Sequence, residues 1–156
     1  MKLSPDFKEF IELLNANEVK YLVVGGYAVG LHGYPRLTKD IDFWIQRDNN
    51  NAQLLLETLQ DFGLGSLQFT AEDFLNANNI IQLGVPPNRI DIITDLENLS
   101  FDECFETRAK IDAQGVIANV LDLESLKKNK KSTGRLQDLA DAEKLETKGK
   151  KKNRWK

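Results

Sequence analysis

The sequence predicts an α/β domain, with a mixed, twisted sheet flanked by helices and a pair of helices at the C-terminus. Two observations support this prediction. Short apolar runs typical of strands alternate with segments of helical spacing, and the chain from Asp122 onward has helical spacing alone. The length of 156 residues fits one compact domain, which we place at 1–147, followed by a basic tail at 148–156.

The first half of the chain contains two predicted helices of full length and two predicted strands. Ser4-Pro5 is typical of a helix start, and apolar residues follow at helical spacing, so a helix is predicted over 5–16. The run KYLVVG indicates a buried strand that ends at Gly25, and GYAVGLHG indicates a short helix. KDIDFWIQ alternates as a strand does, and the second long helix is predicted over 50–62.

The second half contains shorter predicted elements. TAEDF and SFDECFETR carry capping signals for brief helices, the second through Ser100 and Glu103. NIIQLG and NRIDIITD, separated by VPP, indicate a hairpin, and AKIDAQGVIANVL indicates two short edge strands around Gly115. From Asp122 onward we predict two helices with a break at residues 133–134.

Composition excludes several classes of protein. No apolar run approaches the length of a membrane span and the N-terminus lacks the apolar core of a signal peptide, so a cytoplasmic protein without membrane contact is expected. Cys104 is the only cysteine, which excludes an internal disulfide and a cysteine-based zinc site. A metal would have to bind oxygen ligands or His32.

Charge is distributed unevenly along the chain. Residues 1–126 carry 9 basic and 20 acidic side chains, whereas residues 127–156 carry 12 and 4. The end, KGKKKNRWK, has 6 basic and no acidic residues, a composition that suits binding to a nucleic-acid phosphate backbone. A solvated tail without a ligand is the simpler interpretation of the same residues.

The strand KDIDFWIQ places two carboxylates on one face. Side chains alternate along a strand, so Asp40, Asp42 and Trp44 share one face, and Ile41, Phe43 and Ile45 share the other. The Cα atoms of the two aspartates are then about 6.6 Å apart, a span that one or two metal ions can bridge. Such a pair is costly unless a cation neutralises it. With Asp91, an acid in the apolar run RIDII, these residues are predicted to bind Mg²⁺.

Groups that could bind phosphate lie close by in the sequence. Gly25-Gly26 at a strand-to-helix junction would let backbone N–H groups approach phosphate oxygens, and Arg36 and Thr38 could add a charge and a hydroxyl. Each feature has a simpler interpretation, since Gly-Gly can be a turn and Asp-x-Asp an exposed pair. Together they indicate phosphoryl or nucleotidyl transfer. KKSTG lacks the leading glycine of a P-loop, which excludes a P-loop hydrolase.

The strand, the glycine pair, the short helix ending in HGYPRLTKDIDF and the later strand aspartate resemble the nucleotidyltransferase superfamily, which has the fold of the DNA polymerase β catalytic core. NKKSTGRLQDLADAEKL is similar to the C-terminal signature of the abortive-infection toxin branch of that superfamily. The resemblance extends from about residue 19 to residue 145.

This resemblance implies roles for individual residues in the first part of the chain. Gly25 and Gly26 correspond to the nucleotide-phosphate loop, and Asp40 and Asp42 to magnesium ligands. Asp91 corresponds to a third ligand or a general base.

The C-terminal similarity implies three more site residues. Lys130, Arg135 and Asp138 would face the same pocket, with Lys130 binding phosphate and Asp138 orienting it. The resemblance thus adds a basic group from the C-terminal helices to the acids of the sheet.

The predicted function is transfer of a nucleoside monophosphate from an NTP to an acceptor hydroxyl or phosphate, with two Mg²⁺ ions as cofactor. The acceptor could be RNA such as tRNA, a protein or a small molecule, and a toxin of this kind would have a protein antitoxin as partner. One alternative is a non-catalytic module of the same fold that binds nucleotide or a protein. Another is an RNA-binding protein that acts through its tail.

His32 and Trp44 lie close to the acids in the sequence, and each has a structural and a functional interpretation. His32 is predicted to cap the short helix or to hydrogen-bond within the core rather than to catalyse. Trp44 either packs in the sheet or stacks on a base, and packing is favoured.

Overall fold

The computed structural model describes residues 3–34, 40–85 and 87–132. Five helices and six strands follow one another along the chain: α1 Pro5–Ala16, β1 Tyr21–Val24, α2 Gly25–Leu31, β2 Asp40–Ile45, α3 Asn49–Asp61, β3 Ile80–Leu83, β4 Arg89–Ile93, α4 Phe101–Glu106, β5 Ala109–Ala113, β6 Val116–Val120 and α5 Leu123–Ser132. Two short 3-10 turns, Gly65–Leu67 and Ala71–Phe74, connect α3 to β3. The predicted helices and strands within the described ranges are present, with bounds that differ by a few residues.

The strands form one sheet in the order β3-β4-β2-β1-β6-β5. β2 pairs with β4 and β1 with β6 in parallel, whereas the other neighbours are antiparallel. The predicted mixed sheet and the β3-β4 hairpin are confirmed. The prediction of two edge strands around Gly115 is wrong for β6, which lies between β1 and β5; its buried Val116, Ala118 and Val120 suit an inner position.

One face of the sheet is covered by α1 and α3. Ser4 begins α1 by accepting a hydrogen bond from the Phe7 backbone N–H at 3.2 Å. From this helix the Phe10 ring packs edge-on against Phe43 of β2 and Phe62 after α3, with centroids 5.2 and 5.1 Å apart. This apolar layer covers the face of β2 opposite to Asp40 and Asp42 and so leaves the acids on the other face.

That other face of β2 is polar at only one end. Trp44 is 2% exposed and its ring packs edge-on against Phe101 of α4, with centroids 5.2 Å apart. The structural interpretation of Trp44 is confirmed, since its ring is covered by α4. The open part of this face is the end that carries Asp40 and Asp42.

The two predicted capping signals have different outcomes. Thr70 and Asp73 form a reciprocal capping box, whereas Ser100 makes no side-chain cap bond at the start of α4. The second C-terminal helix, the break at 133–134 and the tail lie outside the described residues. None of the described helices has the length and apolar character that crossing a bilayer requires.

Candidate active site

The sheet register brings the three predicted acids together. Asp42 of β2 is the partner of Asp91 in the parallel ladder with β4 and of Val24 in the antiparallel ladder with β1. Asp40 lies two residues earlier, beside Arg89. Partners in adjacent strands project from the same face, so the carboxylates form a cluster on the face away from α1 and α3. This clustering matches the prediction from the DID and RID motifs.

Gly25 lies directly against this cluster. It follows Val24 at the junction of β1 and α2 and has a φ of +69°, a conformation that favours glycine. A Cβ at this position would collide with Oδ2 of Asp42. The glycine is therefore needed for the close approach of the junction to Asp42, whereas Gly26 is a buried residue of the first turn of α2.

The end of α2 is fixed by His32. The ring Nε2 lies 2.8 Å from the carbonyl oxygen of Leu121, which follows β6, and the backbone N–H donates to Ala28. This hydrogen bond confirms the structural role predicted for His32. It also connects α2 to the end of β6, the strand that pairs with β1.

Arg89 is a member of the cluster that was not predicted from the sequence. Its Nη2 lies 2.7 Å from Oδ2 of Asp40 and 3.1 Å from Oδ2 of Asp91, and its Nε lies 3.0 Å from Oδ1 of Asp91. The signal was present in the sequence, because residues two apart on a strand share a face and Arg89 precedes Asp91 by two. The guanidinium thus neutralises part of the charge that we assigned to a metal.

Asp42 has an unusual protonation equilibrium. Burial raises the pKa of its carboxyl to about 7, and the charge of Asp91, a hydrogen bond to Asp91 and the charge of Asp40 act in the same direction, whereas Lys130 opposes them. A hydrogen bond between two carboxyl groups requires a proton on one of them. The Asp42 carboxyl therefore holds a proton up to about neutral pH, and a bound cation would displace it.

Lys130 approaches the cluster from α5. It is 4% exposed although lysine is seldom buried without a charged partner. The Coulombic effect of its ammonium on Asp42 agrees with the predicted position near the acids. Arg36, Thr38, Arg135 and Asp138, the remaining predicted site residues, lie outside the described residues.

The side chains of the cluster are of the type that binds a divalent metal ion, but they are not arranged as a complete metal site. Carboxylate oxygens are the ligands that Mg²⁺ prefers, and the ion pairs of Arg89 show that the cluster binds positive charge. Within the described ranges no three acidic, histidine or cysteine side chains form a ready-made metal site. Asp40 and Asp91 are already engaged by Arg89.

Comparisons with known proteins support the same fold. No family model matches the chain, and neither does any curated protein. Among solved structures, the chain is similar to a protein of Thermotoga maritima described as a "putative nucleotidyltransferase", with 20% identity, a TM-score of 0.57, and coverage of 95% of this chain and 91% of that one. At this identity the similarity demonstrates a shared fold alone: the two chains have the same mixed α/β architecture over nearly their whole lengths.

Proposed function

We propose that this protein is a magnesium-dependent nucleotidyltransferase that moves a nucleoside monophosphate from an NTP to an acceptor hydroxyl or phosphate. The observation that carries the proposal is the alignment of Asp42 with Asp91 across parallel strands, with Gly25 against Asp42. The structural neighbour, which is described as a nucleotidyltransferase, supports the same class of reaction.

The roles of the acids follow from their positions. Asp40, Asp42 and Asp91 would hold Mg²⁺, which supplies charge stabilisation to the transferred phosphate and to the leaving group. Asp42 is the central residue because the other strands approach it from both sides. Its proton would leave when the site fills, since a carboxylate must be deprotonated to bind a cation.

The transfer itself breaks one bond and forms another. The acceptor oxygen attacks the α-phosphorus of the NTP, the bond from that phosphorus to the bridging oxygen of the β-phosphate breaks, and pyrophosphate leaves. If Asp91 is not itself a metal ligand, its alternative role is that of the general base that accepts the proton of an acceptor hydroxyl. The Lys130 ammonium would offset the charge of the phosphates from the side of α5.

The experiment is a transfer assay with Asp42→Asn. Purified protein should label an acceptor preparation with α-³²P NTP in the presence of magnesium, and the variant should lose about three orders of magnitude of rate. The change keeps the size of the side chain and removes its charge. Protein, bulk tRNA and small-molecule hydroxyl acceptors are each supplied separately, with all four NTPs.

Asp95→Asn is the matched control, because Asp95 follows β4 and pairs with Arg47 at the opposite end of the strands, Oδ1 to Nε 3.2 Å. It should keep full activity. Absence of labelling with every NTP and every acceptor class, or equal labelling by Asp42→Asn, would refute the proposed activity.

A non-catalytic module that binds nucleotide or a protein is the second candidate. The observation in its favour is Arg89, which pairs with two of the three acids. NTP binding that is equally tight with and without magnesium, together with no turnover, would favour this second function.

The cellular role is a proposal that depends on the C-terminal signature. An RNA acceptor such as tRNA and a neutralising antitoxin would follow from the resemblance to the abortive-infection branch, and 133–138 of that signature lie outside the described residues. A neutralising protein encoded next to this chain, whose co-expression relieves growth arrest, would support the toxin role. Normal growth of cells that express this chain alone would count against it.

A further inference from the structure

The Arg89 guanidinium is held by both of the acids that border Asp42. Its ion pairs join two strands, since Asp40 lies on β2 and Asp91 lies with Arg89 on β4. The side chain of Arg89 is 27% exposed and that of Asp91 is 10% exposed, so the guanidinium lies at the rim of the cluster with its partner below it. An exposed position at the rim leaves room for the side chain to move away.

The oxygens that Arg89 engages are needed for another purpose. Oδ2 of Asp40 and both oxygens of Asp91 accept its hydrogen bonds. These three oxygens are among the carboxylate oxygens of the cluster that would hold a divalent ion. Arginine stays charged at any accessible pH. A divalent metal ion bound to the same carboxylates would therefore be repelled by the adjacent Arg89 guanidinium.

We propose that Arg89 is an internal counter-cation that competes with the divalent metal and must leave Asp40 and Asp91 when the metal binds. The inference rests on the metal site of the proposed function. It assigns to Arg89 a positioning role: the guanidinium keeps the carboxylates together before metal arrives, at the expense of metal affinity.

The test is a titration of the purified, metal-free full chain with Mn²⁺, which prefers the same oxygen ligands as Mg²⁺. The loss of the free-ion electron paramagnetic resonance signal measures the bound fraction. Arg89→Met keeps an unbranched apolar side chain close to the length of the arginine stem and removes the charged guanidinium. We expect it to bind Mn²⁺ about tenfold more tightly than the wild type, because the competing charge-assisted hydrogen bonds are gone.

Arg47→Met is the matched control. It removes the same charge and also breaks an arginine–aspartate pair, the one with Asp95, at the other end of the strands. Its Mn²⁺ affinity should equal that of the wild type. Unchanged or weaker binding by Arg89→Met would overturn the inference and leave the metal site in place, whereas failure of wild type and variant alike to bind would overturn both.

A measurement on the wild type keeps the inference testable if Arg89→Met does not fold. The side-chain Nε–H of Arg89 gives a resonance in a ¹H–¹⁵N spectrum, assigned by its loss in Arg89→Lys. Saturating Mg²⁺ should shift this resonance and increase its exchange with water, because the bond to Oδ1 of Asp91 is lost. An unchanged resonance at saturation would overturn the inference.

Discussion

Asp42 is the central residue of the acidic cluster, both by its position and by the charges around it. It has Asp91 on one side, Val24 on the other, and the junction glycine in contact with its carboxyl. Burial and the neighbouring carboxylates raise the pKa of its carboxyl to about 7, so a cation bound beside it would stabilise the ionised form. Changes to the contacts of Asp42 should therefore lower metal affinity as well as stability.

Gly25→Ala tests the importance of the contacts of Asp42, because Gly25 lies directly against its carboxyl. The new methyl group would collide with Oδ2 of Asp42, and the φ of +69° is unfavourable for alanine. We expect a loss of about 2 to 3 kcal/mol in the free energy of unfolding, measured by urea denaturation, and a loss of Mn²⁺ affinity of about tenfold or more.

Gly33→Ala separates the two causes. Gly33 also has a positive φ, +96°, but a Cβ there would meet nothing within 4 Å. This variant should lose only about 1 kcal/mol from backbone strain and keep its Mn²⁺ affinity. Equal effects of the two substitutions on affinity would contradict a steric role for Gly25.

The acids could be predicted from the sequence because alternation along a strand needs only local information. Asp40 and Asp42 share a face by spacing alone, and the register then brings Asp91 beside them. The pairing of Arg89 with Asp91 follows from the same spacing rule, whereas its pairing with Asp40 could not be predicted in this way, since Asp40 is on another strand and 49 residues away. Pairing between strands depends on tertiary structure, which the pattern of one strand does not contain.

At the scale of elements, hydrogen bonds from the start of α3 link β1 to β2. Asn51 is 2% exposed and accepts a hydrogen bond from the Lys20 N–H at 2.8 Å. Its amide also donates to the carbonyls of Lys20 and Gln46, at 3.0 and 2.9 Å. One side chain thus satisfies three backbone groups where β1 begins and β2 has ended.

Asn51→Ala should destabilise the protein by about 1 to 2 kcal/mol, because the Lys20 N–H and the Gln46 carbonyl would lose their partner, whereas the Lys20 carbonyl would keep the Gln46 N–H. Thermal and urea unfolding measure the change. Asn50→Ala, one residue earlier and exposed in the same turn of α3, is the control and should be close to neutral. Similar losses in both variants would indicate an effect on helix α3 itself rather than on the strand connection.

Most elements were predictable from local periodicity, and the errors concern interactions between elements. The β3-β4 hairpin has its turn between its strands, so adjacency in sequence is enough to predict it. The inner position of β6 follows from its parallel pairing of Val120 with Val23, across most of the chain. Ser100 has the residue type of a cap but makes no cap bond, which the motif alone does not reveal.

At the scale of the whole molecule, the acidic cluster and the basic segment are separated along the chain. The carboxylates lie on β2 and β4, where Arg89 forms hydrogen bonds to two of them and Lys130 acts on Asp42 through its charge. The six basic residues of 148–156 are concentrated at the far end. Metal binding and any affinity for nucleic acid are therefore expected to depend on different residues.

Removal of residues 148–156 tests that separation. Affinity for a single-stranded RNA oligonucleotide should fall, as measured by fluorescence anisotropy over a range of salt concentrations. The slope of log affinity against log salt should decrease in magnitude by up to about 4, since up to six phosphate contacts are lost. Mn²⁺ affinity and the unfolding temperature should stay unchanged. A full-length variant with the six basic residues replaced by glutamine controls for chain length and should behave like the truncation. RNA affinity that survives in both variants would place the nucleic-acid contacts elsewhere on the chain.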